Sequence, residues 1–157
     1  MLKIGEPAPD FSARTTDGRT VRLSELRGRP VVLYFFPRAF TFGCTIETKL
    51  FQDKYPDISA YGAELFGIST DPLETQCRFA EEHHTAFAMI GDPDQSISHA
   101  YRVRRPLLSA DKRVTYVIDE RGMVAAVFHH EIKVKSHVTD VLRWLQEHRP
   151  ATTTSAH

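Results

Sequence analysis

The sequence predicts an α/β domain with a mixed β-sheet flanked by helices and an N-terminal β-hairpin, and three observations carry that expectation. Apolar runs of strand length recur at residues 31–36, 65–69 and 87–90, unbroken enough to be strands buried on both faces. Helix signals fall between them, with polar turns marking where each helix opens. The chain then closes on two strand candidates around Glu120-Arg121-Gly122 and an amphipathic helix. At 157 residues, 41% hydrophobic and 25% charged, it has the size of one domain with a full core.

Taken in order, residues 11–15 and 21–23 flank the turn signal Thr16-Asp17-Gly18 and read as a short hairpin. Ser24 reads as the cap of a single helical turn. Residues 31–36 are the central strand. The next helix is expected to start at Gly43 or Cys44 and to run to about Tyr55, where Pro56 interrupts it, with Ile46, Leu50 and Phe51 on its apolar side. After the strand at 65–69, Thr70-Asp71-Pro72 offers a cap and a proline at the first helical position, opening a helix through Phe79 toward His84. A strand at 87–90 and a short helix at 95–101 lead into an irregular basic stretch, 102–112. Residues 115–118 and 123–128 pair as a hairpin, and the last helix, 136–148, carries Val138, Val141, Leu142 and Leu145 on one face. Strand, helix, strand, helix, hairpin, helix is a thioredoxin-like order. Residues 1–149 are expected to form this one domain and the polar tail 150–157 to be disordered.

Composition excludes several classes of function. Twenty basic residues balance twenty acidic ones, so neither nucleic acid nor an anionic membrane is favoured as a partner. The N-terminus lacks the apolar core of a signal peptide and no segment has the length of a membrane span, which makes the cytoplasm the expected location. Two cysteines are too few for a disulfide framework, and in a reducing compartment such a pair does redox chemistry or nothing. His83-His84 and His129-His130 read as surface residues, because neighbours on a strand point to opposite faces and neither pair has ligand spacing with Cys44. Asp92 and Asp94 are turn chemistry without a complete calcium-loop pattern. No metal and no cofactor is expected.

The chemistry centres on Cys44. It follows the strand 31–36 and a short turn, at the start of a helix. Unpaired N–H groups and the positive end of the helix dipole favour a thiolate there. A free thiol with a pKa of about 8.5 is only about 3% ionised at neutral pH, whereas one at a helix start beside a cation is expected to be mostly ionised. Thr41, three residues earlier, either caps the helix or hydrogen-bonds the sulfur and an incoming oxygen. Pro37 either terminates the strand or keeps water off one side of the sulfur. Arg113 precedes the strand 115–118, beside the helix carrying Cys44 in this order of elements, and its guanidinium suits a thiolate and a departing oxyanion.

Pro37-x-x-x-Thr41-x-x-Cys44 with a later Arg113 resembles the active-site motif of the peroxiredoxins, and the surrounding text is similar to their bacterioferritin comigratory protein or PrxQ branch. The likeness extends through Ala8-Pro9-Asp10-Phe11, Tyr34-Phe35-Phe36-Pro37, Gly43-Cys44-Thr45, Gly67-Ile68-Ser69-Thr70-Asp71 and Arg113-Val114-Thr115-Tyr116-Val117-Ile118-Asp119. It implies a thiol peroxidase that reduces hydrogen peroxide and organic hydroperoxides without metal, haem or flavin, Cys44 becoming a sulfenic acid. Thr41, the Cys44 N–H and Arg113 would hold the two oxygens. Glu47 matches a family glutamate that orients the arginines, though by position alone it is also a favourable charge in the first helical turn. Phe40 and Phe42 would form an apolar collar. Many PrxQ proteins carry a resolving cysteine five residues beyond the first, where this chain has Lys49. Cys77 is the other thiol, either a resolving residue reached by unwinding the first turn around Cys44 or an incidental one. The resemblance implies thioredoxin, glutaredoxin or a low-molecular-weight thiol as reductant, and a monomer or homodimer.

Two other functions stay in view. A thioredoxin-like disulfide oxidoreductase needs a C-x-x-C pair, and Thr41 stands in the place of the other thiol. A non-catalytic redox sensor would use Cys44 only as a switch.

Overall fold

The computed structural model describes residues 1–105, 110–130 and 133–148. The N-terminal hairpin pairs β1 (Ser12–Arg14) antiparallel with β2 (Thr20–Arg22), Ala13 opposite Val21. Beyond a 3-10 turn at Leu23–Leu26 the chain alternates β3 (Val31–Phe35), α1 (Phe42–Ala60), β4 (Glu64–Ser69), α2 (Leu73–Glu82), β5 (Ala88–Gly91) and α3 (Ser96–Ala100). It finishes with β6 (Val114–Ile118), β7 (Val124–His129) and α4 (Val134–Glu147).

The main sheet runs β5-β4-β3-β6-β7. β3 and β5 flank β4 in parallel, while β6 pairs antiparallel with both β3 and β7. Every residue of β3 is buried, and its side chains divide by parity. Val31, Leu33 and Phe35 join Phe66, Ile68, Tyr101 and Tyr116 on one face, which Ile97 of α3, Val21 and Leu23 cover. Val32, Tyr34 and Phe36 point the other way, onto Phe51 and Ile58 of α1, Phe79 of α2, and Val138, Val141 and Leu145 of α4. Burying each such side chain contributes about 1.5–3 kcal/mol, and the alternation holds the register, since a one-residue slip would exchange the two faces.

The mixed sheet, its flanking helices and the N-terminal hairpin are as expected; three local expectations are not. α1 does not stop at Tyr55 but continues through Pro56 to Ala60. A proline inside a helix costs about 3 kcal/mol, but Pro56 lies on the exposed side of α1, away from the core. Ile58, fully buried, holds the last turn on the sheet. Ser24 is not a cap: the 3-10 turn starts one residue earlier, and the Ser24 N–H donates to Asp10 Oδ1 at 2.9 Å. Pro72 is the residue before α2 rather than its first helical one, and Asp71 does not cap that helix. The expected disordered tail, 150–157, lies outside the described residues, as do residues 106–109 of the basic stretch.

Candidate active site

After β3 the Phe36 N–H donates to the Ile68 carbonyl at 3.0 Å, and the chain turns through residues 37–41 into α1. Asp71 holds this turn. Its Oδ2 accepts from the Ala39 N–H at 2.7 Å and from the Ser69 hydroxyl at 2.6 Å, tying the turn to the end of β4. Phe40 sits in the left-handed region, φ 64°, and rests its ring edge-on against Phe79 of α2, centroids 5.2 Å apart. A left-handed bulky residue is strained and persists only where its surroundings hold it.

The turn delivers Cys44 as the third residue of α1, with Glu47 one helical turn further on the same side. Across the sheet, Val114 pairs with Phe35, which sets Arg113 beside the strand end that leads into the turn. Arg113 Nη1 and Nη2 each lie 3.7 Å from Cys44 Sγ, and Nη1 donates to Glu47 Oε1 at 2.7 Å. All three residues are buried. A charge-assisted bond between buried partners fixes the guanidinium far more firmly than an exposed one would. Gly43 makes the approach possible: a Cβ there would stand 3.0 Å from Arg113 Nη2. Burial alone would lower the Arg113 pKa, but Glu47 and Cys44 outweigh it and hold the cation firmly charged.

The Cys44 thiol departs from expectation. Burial pushes its pKa up, and the Thr41 hydroxyl, the Arg38 backbone N–H and Arg113 oppose that rise without cancelling it. Burial thus holds the thiol pKa above its ordinary value, opposite to the lowering expected at a helix start. Position at a helix start favours the anion, but a sulfur with no exposed surface has lost the solvation that an anion needs.

Thr41 occupies the N-cap position without making the capping bond. Its hydroxyl donates to the Arg38 carbonyl at 2.9 Å and also acts on the sulfur, lowering the thiol pKa. Pro37 is half-buried at the start of the turn. Of the expected collar, Phe40 leans on Phe79, while Phe42 is 84% exposed. Cys77 is half-buried on α2, and both thiols are free. His130 bonds Asp140 at 3.0 Å, and among the described residues no three His, Cys, Asp or Glu side chains converge as a metal site.

Sequence reading missed Asp71, read as a cap, and it missed the buried layer behind Glu47. There His137 Nδ1 lies 2.8 Å from the Thr115 hydroxyl and 3.8 Å from Glu47 Oε2. The one signal was spacing: Thr115 lies two residues beyond Arg113, the period of a strand, with Arg113 itself just before β6.

Comparison with known proteins identifies the family. The AhpC/TSA family model matches residues 4–127. Peroxiredoxin Bcp of Escherichia coli K12 is 34% identical over 153 residues, covering 94% of this chain and 97% of that protein. Chloroplastic peroxiredoxin Q of Oryza sativa subsp. japonica is 34% identical over 143 residues, 90% of this chain, which in turn spans only 66% of that relative's length. The crystal structure of peroxidoxin BcpB from Mycobacterium tuberculosis matches with a TM-score of 0.87 at 34% identity, covering 94% of this chain and 98% of that one. Among the described residues no helix is long and apolar enough to cross a membrane. With the match running through the strands, α1 and Arg113 alike, the chain belongs to the AhpC/TSA family and, within it, to the peroxiredoxins, which are thiol-dependent peroxidases.

Proposed function

We propose that this chain reduces hydrogen peroxide and organic hydroperoxides at Cys44. The observation that carries this reading is the guanidinium of Arg113, set with both terminal nitrogens 3.7 Å from Sγ and anchored by Glu47 at 2.7 Å. It is a fixed positive charge where negative charge must develop. Because the sulfur is fully buried, peroxide enters as its cover opens, and entry of polar oxygens restores the solvation that favours the thiolate. The thiol proton passes to solvent that enters with the peroxide, and the thiolate attacks the terminal peroxide oxygen. The S–O bond forms as the O–O bond breaks, sulfur being oxidised to the sulfenic acid and the peroxide reduced. The other oxygen leaves with the pair of the broken bond and takes up a proton as water or alcohol. Arg113, the Thr41 hydroxyl and the Cys44 N–H stabilise that charge, and the half-buried Pro37 limits water on one side.

The sulfenic acid is then reduced by an external thiol, with thioredoxin, glutaredoxin and a low-molecular-weight thiol as the candidate donors, in the cytoplasm and with the chain as a monomer or homodimer. Resolution by Cys77 would require the first turn of α1 to unwind. Mass spectrometry after one equivalent of peroxide separates the routes: a Cys44 sulfenic acid or mixed disulfide supports the external route, and a Cys44–Cys77 bridge supports the internal one. The activity itself is tested by single-turnover peroxide consumption by the reduced protein, which Cys44→Ser abolishes. Undiminished consumption by that variant would overturn the reading.

A further inference from the structure

We propose that His137 is a positioning residue for the peroxidatic centre: from α4 it fixes Thr115 and backs the Glu47 carboxylate, so that Glu47 holds Arg113 against Cys44. This rests on the peroxidase reading above and concerns a residue outside the Pro37, Thr41, Cys44 and Arg113 motif.

His137 is fully buried, and its hydrogen bonds settle its tautomer. Nε2 lies 2.9 Å from the His130 backbone carbonyl, which can only accept, so Nε2 carries the proton. In the neutral ring Nδ1 is then an acceptor, and at 2.8 Å it takes the Thr115 hydroxyl. The same nitrogen faces Glu47 Oε2 at 3.8 Å, the carboxylate oxygen other than the one Arg113 Nη1 bonds. Glu47 is thus enclosed between a cation on one side and a neutral ring on the other.

The surroundings keep that ring neutral at physiological pH. Burial lowers its pKa to about 4, the His130 carbonyl opposing, the His130 and Arg113 charges adding to the fall and Asp140 opposing it. The groups that face it are Glu47 from α1, Thr115 from β6, Arg113 just before that strand, and His130 with its partner Asp140, the His130 ring standing edge-on at 5.2 Å. A neutral ring occupies the space beside Oε2 without competing for the carboxylate's charge. A protonated one would pair with Glu47 and draw it from Arg113. An apolar replacement would leave the Thr115 hydroxyl unpaired and let the carboxylate turn, loosening the guanidinium that a sub-ångström tolerance demands.

The test uses the full chain and reads two quantities: the bimolecular rate of Cys44 oxidation by hydrogen peroxide, and the Cys44 titration followed by thiolate absorbance. His137→Leu removes both ring nitrogens, and Thr115→Val removes only the hydroxyl. His137→Asn keeps an acceptor for that hydroxyl. We expect the leucine variant to oxidise about ten-fold more slowly, with its thiol titrating at higher pH. The valine variant should move the same way by less, and the asparagine variant should recover most of the rate. Loss of thermal stability alone, with rate and titration unchanged in the leucine and valine variants, would mean a merely structural residue and overturn the proposal. If the leucine variant does not fold, unchanged rate and titration in the valine variant overturn it by themselves. Failure of the peroxidase reading is distinguishable, because it would show as peroxide consumption surviving Cys44→Ser.

Discussion

Asp111 precedes Arg113 by two residues and is fully buried. Its carboxyl oxygens make no well-formed hydrogen bond, the Ser98 hydroxyl acting on them only weakly. Burial pushes its pKa up from 3.8 to about 8, the Asp92 and Asp71 charges adding to the rise and Ser98 and Arg104 opposing it. Between those two values the unfolded chain has lost a proton that the folded one keeps, so folding takes up a proton and stability falls as pH rises. The loss is complete above about pH 8. At 1.36 kcal/mol per unit, the penalty that Asp111 imposes on folding grows by about 4 kcal/mol between pH 5 and pH 8. Asp111→Asn keeps the shape and removes the titration. The expected outcome is that the unfolding free energy of the variant, relative to the parent, improves by about 4 kcal/mol between pH 5 and pH 8. Urea denaturation of both proteins at each pH measures it, and taking the difference at each pH removes every other titrating group. His137, lowered from 6.5 to about 4, acts oppositely, since below 6.5 the unfolded chain binds a proton that the folded one refuses. Stability from that ring rises with pH through the window and cancels in the comparison. A relative stability flat with pH to within about 1 kcal/mol would refute the reasoning, because Asp111 would then ionise in the fold as it does in the unfolded chain.

Three further outcomes follow from the site. Arg113→Met leaves the buried Glu47 carboxylate uncompensated and should cost about 3–5 kcal/mol at neutral pH, while the double variant with Glu47→Gln recovers part of that loss in a denaturation cycle. Additivity of the two changes would argue against the buried pair. Gly43→Ala puts a methyl 3.0 Å from Arg113 Nη2, so peroxide oxidation should slow and the Cys44 titration should move upward while the fold persists; stopped-flow kinetics beside thermal melts would show it. Phe79→Ala empties a fully buried site and removes the ring under Phe40, and a loss of about 3–5 kcal/mol is expected by chemical denaturation.

How much of this was legible in the chain depends on the range of the interaction. β3, β4 and β6 are found because apolar runs and their limits are local, and the two-faced core follows from parity along the strands. Pro56 misled because a local rule met a tertiary one: the exposed side tolerates the proline and buried Ile58 carries the helix past it. Cys44 and Glu47 share a helix face by spacing alone, whereas Arg113 needed the order of elements and the family likeness to join them. Asp71 was read as a cap because its short-range options are plain in the sequence, but its bond to Ala39 spans 32 residues. His137 reaches Glu47 and Thr115 from another element altogether, and no pattern along the chain marks such a meeting. The direction of the Cys44 pKa shift was misjudged for the same reason, since helix position is local and desolvation belongs to the whole fold.

The left-handed backbone at Phe40 bears on how the sulfur is uncovered. Such a conformation at a bulky residue stores about 1–3 kcal/mol, kept in place by Asp71 gripping the next-door amide and by an aromatic ring across the gap. Any swing of this segment would begin from a wound spring, relaxation at residue 40 offsetting part of the contacts given up. Tension in the main chain beside the thiol is thereby set by side chains that would never meet the peroxide.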